Sequence, residues 1–297
     1  MAGFDLGDDE LPVDPGAQTD RAAELQEKWQ VKRGQVWEVP SKSVAGKCHR
    51  VMCGDSTDEG DVGRLFDKEK AGLVWTDPPY GVNYGDKLDT TNPMGYRVRG
   101  IKNDNLSPDE LERLIRTAFT RAATVSEPGT ALYAASPAGK PLPTLIASFA
   151  GSGFTFHWGL VWVKDQLVLG RGDYHFRHEN ILYGWKHDAA HYFVDSRKHD
   201  SIFEVSRPKV SEEHPTMKPP ELVAQMIENS SKRGWVVYDP FLGSGTTLVA
   251  CEETKRIGYG MEIEPKYVAV TLERLGGAGL EPRLAEQQPQ PPQTGDG

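Results

Sequence analysis

Short apolar runs separated by helix-patterned segments repeat along most of this chain, and no other feature constrains its fold as much. Strands that alternate with helices suit a parallel sheet, because the chain must cross back over the sheet before starting each new strand in the same direction. The pattern predicts strands at Arg50–Cys53, Leu73–Thr76, Ala131–Ala134, Thr155–Val163, Ile181–Trp185, Trp235–Tyr238 and Ile257–Met261. It predicts helices at Pro108–Val125, with Ser107 as N-cap, and at Leu142–Phe149, Pro219–Ser231, Thr246–Glu253 and Pro265–Leu275. The expected fold is α/β, with a mostly parallel seven-stranded sheet and helices on both faces.

At 297 residues the chain is long enough for one large domain with a proper core. Residues 1–28 are acidic and poor in aromatic and β-branched residues, and the chain ends in a Gln/Pro-rich stretch. Both read as flexible tails, 1–28 and 277–297, around a domain at 29–276. The net charge of -9 is concentrated there: residues 1–27 carry eight acids against Arg21, residues 281–297 carry three against Arg283, and the body between is neutral. The overall acidity therefore does not exclude a nucleic-acid partner. No basic leader and no long apolar run is visible, so a cytoplasmic protein without a membrane span is expected. Cys48, Cys53 and Cys251 form neither an even set nor a CxxC pair, which predicts reduced thiols.

Two turns carry the candidate chemistry. The strand Leu73–Thr76 runs directly into Asp77-Pro78-Pro79-Tyr80. Ligands of open α/β sheets bind outside the carboxyl ends of the strands. The two prolines remove backbone donors, so this turn offers a carboxylate and carbonyls as acceptors beside the flat face of Tyr80. Such a site suits a planar ring with an exocyclic NH2 group, as in adenine or cytosine. The second turn is Asp239-Pro240-Phe241-Leu242-Gly243-Ser244-Gly245-Thr246-Thr247, between a strand and a helix. Its glycines permit a tight bend and close approach of a ligand to the helix start. The Lys of a P-loop is missing, so a nucleoside-type ligand without pyrophosphate fits better, and Glu262, at the end of the next strand, is placed to accept from ribose hydroxyls.

These residues resemble the β-class amino DNA methyltransferases, which use S-adenosylmethionine to methylate adenine N6 or cytosine N4. The resemblance covers about residues 34–276. Asp77–Tyr80 is similar to the catalytic motif, Asp239–Thr247 to the cofactor motif, and Gly54-Asp55-Ser56 to the acidic motif upstream. His214-Pro215-Thr216-Met217-Lys218-Pro219 and His178-Glu179-Asn180 are similar to two further motifs, and the order, catalytic before cofactor, marks the β class. The resemblance implies a Rossmann-like methyltransferase fold. It implies a catalytic set of Asp77, Pro78, Pro79 and Tyr80, and a cofactor set of Asp55, Thr216, Lys218, Asp239, Phe241, Gly243, Ser244, Gly245, Thr246 and Glu262. Lys218 is expected to reach the methionine carboxylate and Asp55 to lie near the cofactor adenine. No metal is implied, although His187 and His191 stand four residues apart with His175 and His178 nearby.

The resemblance also implies double-stranded DNA as substrate, with a target-recognition region at about 188–213. Arg97, Arg99, Lys102, Arg197, Lys198 and Arg207, together with Lys186 and Lys209, are candidate phosphate contacts. A homodimer and a cognate restriction endonuclease in a bacterial or phage setting are the further partners it suggests. Asp at the head of the catalytic motif favours adenine N6, since cytosine N4 members more often carry Ser there. Cytosine N4, an RNA or protein amide, and a DNA-binding module with a decayed site stand as the alternatives.

Overall fold

The computed structural model describes residues 14–81, 106–165, 173–196, 198–206 and 218–285. Among these residues the strands are β1 (Val36–Pro40), β2 (Cys48–Cys53), β3 (Ala71–Thr76), β4 (Ser126–Ser136), β5 (Thr155–Val163), β6 (His178–Trp185), β7 (Ile202–Glu204), β8 (Val236–Asp239), β9 (Ile257–Glu262) and β10 (Arg283–Leu284). The helices are α1 (Ala22–Trp29), α2 (Glu59–Phe66), α3 (Pro108–Thr124), α4 (Leu142–Ala147), α5 (Pro220–Ser230), α6 (Thr246–Glu253) and α7 (Pro265–Gly277).

All the strands join one sheet in the order β10-β1-β2-β9-β8-β3-β4-β6-β5-β7. The central run from β2 to β4 is parallel, while β6 pairs antiparallel with both β4 and β5. Every residue of β3 is buried, as a central strand covered on both faces requires. Its side chains alternate between two cores. Val74 joins Phe66, Ile115 and Phe119 under α2 and α3, whereas Leu73 and Trp75 join Leu222, Met226 and Cys251 under α5 and α6. The expected seven strands are all present, and three short ones extend the sheet to ten. β7 and β10 are three and two residues long, too short to show a strand pattern, and the five-residue β1 pairs antiparallel with β2 outside the strand–helix alternation.

Helix α3 starts where expected. Ser107 and Glu110 form a capping box, with the Ser107 N–H donating to Glu110 Oε2 at 2.9 Å. Helix α2 was not expected, because Gly60 and Gly63 lower its intrinsic helix propensity. It forms because Asp58 accepts the Asp61 N–H at 2.8 Å and Val62, Leu65 and Phe66 are buried on one side. The expected tail is corrected as well. Residues 19–29 form a short 3-10 turn and α1, with Leu25 fully buried against α7. Likewise Leu280 is buried and β10 pairs with β1, so the stretch from 278 to 284 belongs to the packed domain.

Candidate active site

The parallel strands β2, β9, β8 and β3 end side by side, and the residues following them form the site. Asp77 and Asp239 are far apart in sequence, but β3 and β8 are neighbours. Thr76 at the end of β3 donates its hydroxyl to Asp239 Oδ1 at 2.8 Å, which joins the two turns directly. The other Asp239 oxygen accepts from Thr247 Oγ1 at 2.5 Å, and the Phe241 N–H donates to Oδ1 at 3.0 Å. Asp239 is buried, and this burial pushes its carboxyl up to about 6, against the lowering effect of those hydrogen bonds. The carboxylate of Asp239, a residue of the expected cofactor set, is engaged by the protein and shapes the turn. Thr246, also of the expected cofactor set, is buried and its hydroxyl accepts from Arg274 Nη1 at 3.1 Å.

Gly243 and Gly245 both have positive φ, 58° and 86°. A Cβ on Gly245 would lie 2.7 Å from Thr271 Cγ2, whereas one on Gly243 would meet nothing within 4 Å. The first glycine is needed for its backbone angle and opens onto space free of the described residues, while the second is needed for packing as well. Glu262 faces this space from the end of β9. Its Oε2 accepts the Gly243 N–H at 3.0 Å and its Oε1 the Glu264 N–H at 2.8 Å. Burial raises its carboxyl to about 7, with the nearby Glu264 and Asp239 charges adding to the effect and these two hydrogen bonds opposing it. Each oxygen keeps a lone pair for a ligand hydroxyl. Asp55 sits beside it, because the Gly54 N–H donates to the Glu262 carbonyl at 3.0 Å. Its own Oδ1 accepts from the Thr57 N–H and hydroxyl at 2.9 and 2.7 Å. Phe241 is partly buried in the same turn, and Ser244 offers its carbonyl to Arg274.

At the catalytic turn, Pro78 is buried while Asp77, Pro79 and Tyr80 are partly exposed. Tyr80 donates its hydroxyl to Asp77 Oδ1 at 2.6 Å. Lys218 is buried, with Nζ 2.7 Å from Asp77 Oδ2, 3.2 Å from the Tyr80 oxygen and 3.1 Å from Glu179 Oε2. It also lies 5.5 Å from the centre of the Tyr80 ring. Burial opposes its charge, but the Asp77 and Glu179 carboxylates outweigh burial and raise its pKa above the ordinary lysine value. Lys218, expected to reach a ligand carboxylate, is thus occupied by two carboxylates of the protein. Glu179 in turn pairs with Lys164. Burial alone would raise the Glu179 carboxyl, but the two lysines hold it below its usual value.

Glu179 and Lys164 had no assigned role in the sequence reading. The signal available was two opposite charges, one within β6 and one just after β5, beside apolar strand runs.

Thr216, Arg97, Arg99, Lys102, Arg197, Arg207 and Lys209 lie outside the described residues. Lys198 is exposed, as a phosphate contact requires. Lys186 is not free for one: its Nζ donates to the Ala123 and Ser126 carbonyls at 3.2 Å each and pairs with Asp188 at 3.1 Å. His187 meets His157 ring to ring, Nε2 to Nε2 at 2.7 Å, and His191 stacks on Trp185. They gather at the Trp185 end of β6, whereas Asn180, at its other end, pairs with Ser136 at the carboxyl end of β4. Among the described residues no group of three or more His, Cys, Asp or Glu side chains could hold a metal ion. No described helix is long and apolar enough to cross a membrane. All three cysteines are free, and burial pushes the Cys53 thiol up to about 12, far from a thiolate nucleophile.

The comparisons with known proteins agree with this geometry. The chain is 27% identical over 226 residues to the type II methyltransferase M.HpaI of Haemophilus parainfluenzae, covering 68% of this chain and 67% of that protein. It is 25% identical over 223 residues to the type II methyltransferase M2.DpnII of Streptococcus pneumoniae, covering 70% and 83%. The fold is similar to that of M1.HpyAVI, solved as a complex with SAM, at 21% identity and a TM-score of 0.57 over 76% of this chain and 98% of that one. It is also similar to the cytosine-N4-specific PvuII DNA methyltransferase, at 16% identity and a TM-score of 0.58 over 82% and 90%. The family model N6_N4_Mtase, described as DNA methylase, matches residues 71–273, which takes in both turns and the strands that carry them, and the chain belongs to that family of DNA methylases.

Proposed function

We propose that this protein transfers a methyl group from S-adenosylmethionine to the N6 amino group of an adenine turned out of duplex DNA. The observation that carries the reading is the hydrogen bond from Thr76 to Asp239, which fixes the acceptor turn at Asp77–Tyr80 against the Gly-rich turn at Phe241–Gly245. Two ligands seated on these turns would meet at the edge between β3 and β8. The residues of the second turn fit the cofactor. Glu262 retains acceptor capacity for both ribose hydroxyls, Gly243 leaves open space, and Asp55 stands at the adjoining strand end. When bound, S-adenosylmethionine supplies an electrophilic methyl on sulfur.

The chemistry required of the chain is positioning and electrostatics. An aromatic amine is a weak nucleophile because its lone pair is delocalised into the ring. Asp77 accepts one hydrogen of the amine, since each carboxylate oxygen can accept twice and is engaged only once by Tyr80 or Lys218. The Pro78 carbonyl accepts the other, and the prolines contribute no competing donor. Holding both hydrogens localises the lone pair towards the methyl. The Tyr80 ring replaces part of the stacking lost when the base leaves the duplex. Lys218 holds the Asp77 carboxylate in place through the 2.7 Å contact from Nζ to Oδ2. The aspartate at the head of the turn supports adenine over cytosine.

A bacterial cytoplasmic setting, a homodimer, a cognate endonuclease, and phosphate contacts from Lys198 and the basic residues around it belong to the same reading. The test is nucleoside mass analysis of duplex DNA incubated with the purified protein and S-adenosylmethionine. N6-methyladenine is expected. N4-methylcytosine would overturn the choice of base, and unmodified DNA would overturn the reaction.

A further inference from the structure

Residues 14–29 resemble a solvated tail by composition, yet they grip the back of the Gly-rich turn. Arg274 of α7 is 1% exposed and acts as a two-way fork. On one side its Nε donates to Asp14 Oδ1 at 2.8 Å and its Nη2 to Asp14 Oδ2 at 2.6 Å. On the other its Nη1 donates to the Ser244 carbonyl and the Thr246 hydroxyl, both at 3.1 Å. The segment is fastened on either side of this fork. The Gly16 N–H donates to Asp14 Oδ1 at 3.0 Å, and Pro15 packs so closely on Gly277 that a Cβ there would lie 2.9 Å from Pro15 Cγ. Further along, Lys28 Nζ and Trp29 Nε1 both donate to Glu273 Oε2, at 2.6 and 2.8 Å.

We propose that Asp14 is a positioning residue for cofactor binding, acting through Arg274 to hold the Ser244–Thr246 backbone in its ligand-ready shape. A planar guanidinium held bidentately cannot swing, so the direction of its third nitrogen is fixed by the carboxylate opposite. Among the described residues, Glu253 is a second carboxylate that feels the charges of both Asp14 and Arg274. Without the Asp14 charge, the buried cation turns towards Glu253 and releases the turn. The strap thereby joins the amino-terminal segment to the affinity for the small ligand, while the acceptor turn at Asp77 is untouched.

This inference rests on the cofactor lying at the Gly-rich turn. It is tested with the full chain by titrating S-adenosylmethionine calorimetrically into the wild type, Asp14→Asn, Asp14→Glu and Phe241→Ala. Asp14→Asn should weaken binding by about tenfold, the scale of one lost charged hydrogen-bond pair. Its kcat at saturating cofactor and its KM for DNA should stay within about twofold, and Asp14→Glu should recover most of the loss. In the ligand-free proteins, the hydrogen-bonded amides of Phe241, Gly243 and Gly245 should exchange about tenfold faster in Asp14→Asn. If Asp14→Asn does not fold, Arg274→Lys serves in its place, because one ammonium cannot span both sides of the fork. Unchanged cofactor affinity and exchange in the folded variant, with only a lower unfolding temperature, would overturn the proposal. Phe241→Ala binding the cofactor like the wild type would instead refute the placement of the cofactor, a separate failure.

Discussion

Binding of S-adenosylmethionine should weaken about tenfold between about pH 8 and about pH 6, through the protonation of Glu262. Burial raises this carboxyl to about 7 in the ligand-free protein, so it is mostly ionised at the upper pH and mostly protonated at the lower. Ribose hydroxyls donating to the carboxylate favour its ionised form and pull its pKa down on binding. Binding below neutrality must then release a proton, and affinity rises with pH. With a bound-state pKa well below 6, the ionised fraction falls about tenfold across this interval, which corresponds to about 1.4 kcal/mol. The measurement is calorimetric titration of wild type and Glu262→Gln at both pH values, in two buffers of different ionisation enthalpy so that proton release is counted. Comparison with Glu262→Gln removes any titration of the ligand itself. The variant should bind more weakly at the upper pH and show little further loss at the lower. Parallel pH dependence in the two proteins, or no proton release by the wild type, would refute the assignment of Glu262 to the ribose.

Glu252 makes a second pH-dependent contribution, to stability. It is buried and accepts from His49 Nε2 at 2.8 Å, from the Ser41 hydroxyl at 2.6 Å and from the Lys42 and Ser43 N–H groups at 2.9 Å each. Burial alone would raise its carboxyl, but these donors hold it at about 2 against an ordinary 4.5. A depressed carboxyl stabilises above its unfolded pKa and loses that stabilisation as pH falls through its folded value. Glu252→Gln should therefore cost about 3 kcal/mol at neutral pH and about 1.4 kcal/mol at about pH 3 in urea unfolding. A gap that does not change with pH would mean the charge is not responsible. Lys218→Met removes the cation shared by Asp77 and Glu179. The Glu179 carboxyl, held low by this cation, should rise, and with the buried pairing to Asp77 lost kcat should fall by about one to two orders of magnitude; a kcat within about twofold of the wild type would argue against the pairing. Tyr80→Ala should reduce DNA affinity and turnover by about 1–3 kcal/mol, the scale of a lost base stack, and leave cofactor affinity nearly intact. Equal losses in cofactor titration and DNA binding would contradict the role given to the ring.

The sequence alone determined the α/β class, the seven principal strands and both turns, because these signals are local. A wholly apolar run such as Leu73–Trp75 has to be buried on both faces, and Pro-Pro or Gly-Ser-Gly restricts the backbone wherever it stands. The short strands β1, β7 and β10 and the helix α1 were not legible, because they are held by neighbours rather than by their own pattern. Leu25 is buried in a cluster to which α7 contributes Val268, Leu272 and Leu275. Only the tertiary structure decided which charged residues are free and which are committed. Composition marks Asp14 as one acid of a tail, and the family resemblance implies Lys218 as a ligand-facing cation and Asp239 as a ligand contact, while the fold ties them to Arg274, to Asp77 with Glu179, and to Thr76 with Thr247. A buried charge must find its counter-ion in whatever element packs beside it. That element is set by the order of strands in the sheet, which places β3 next to β8 although their sequences stand far apart.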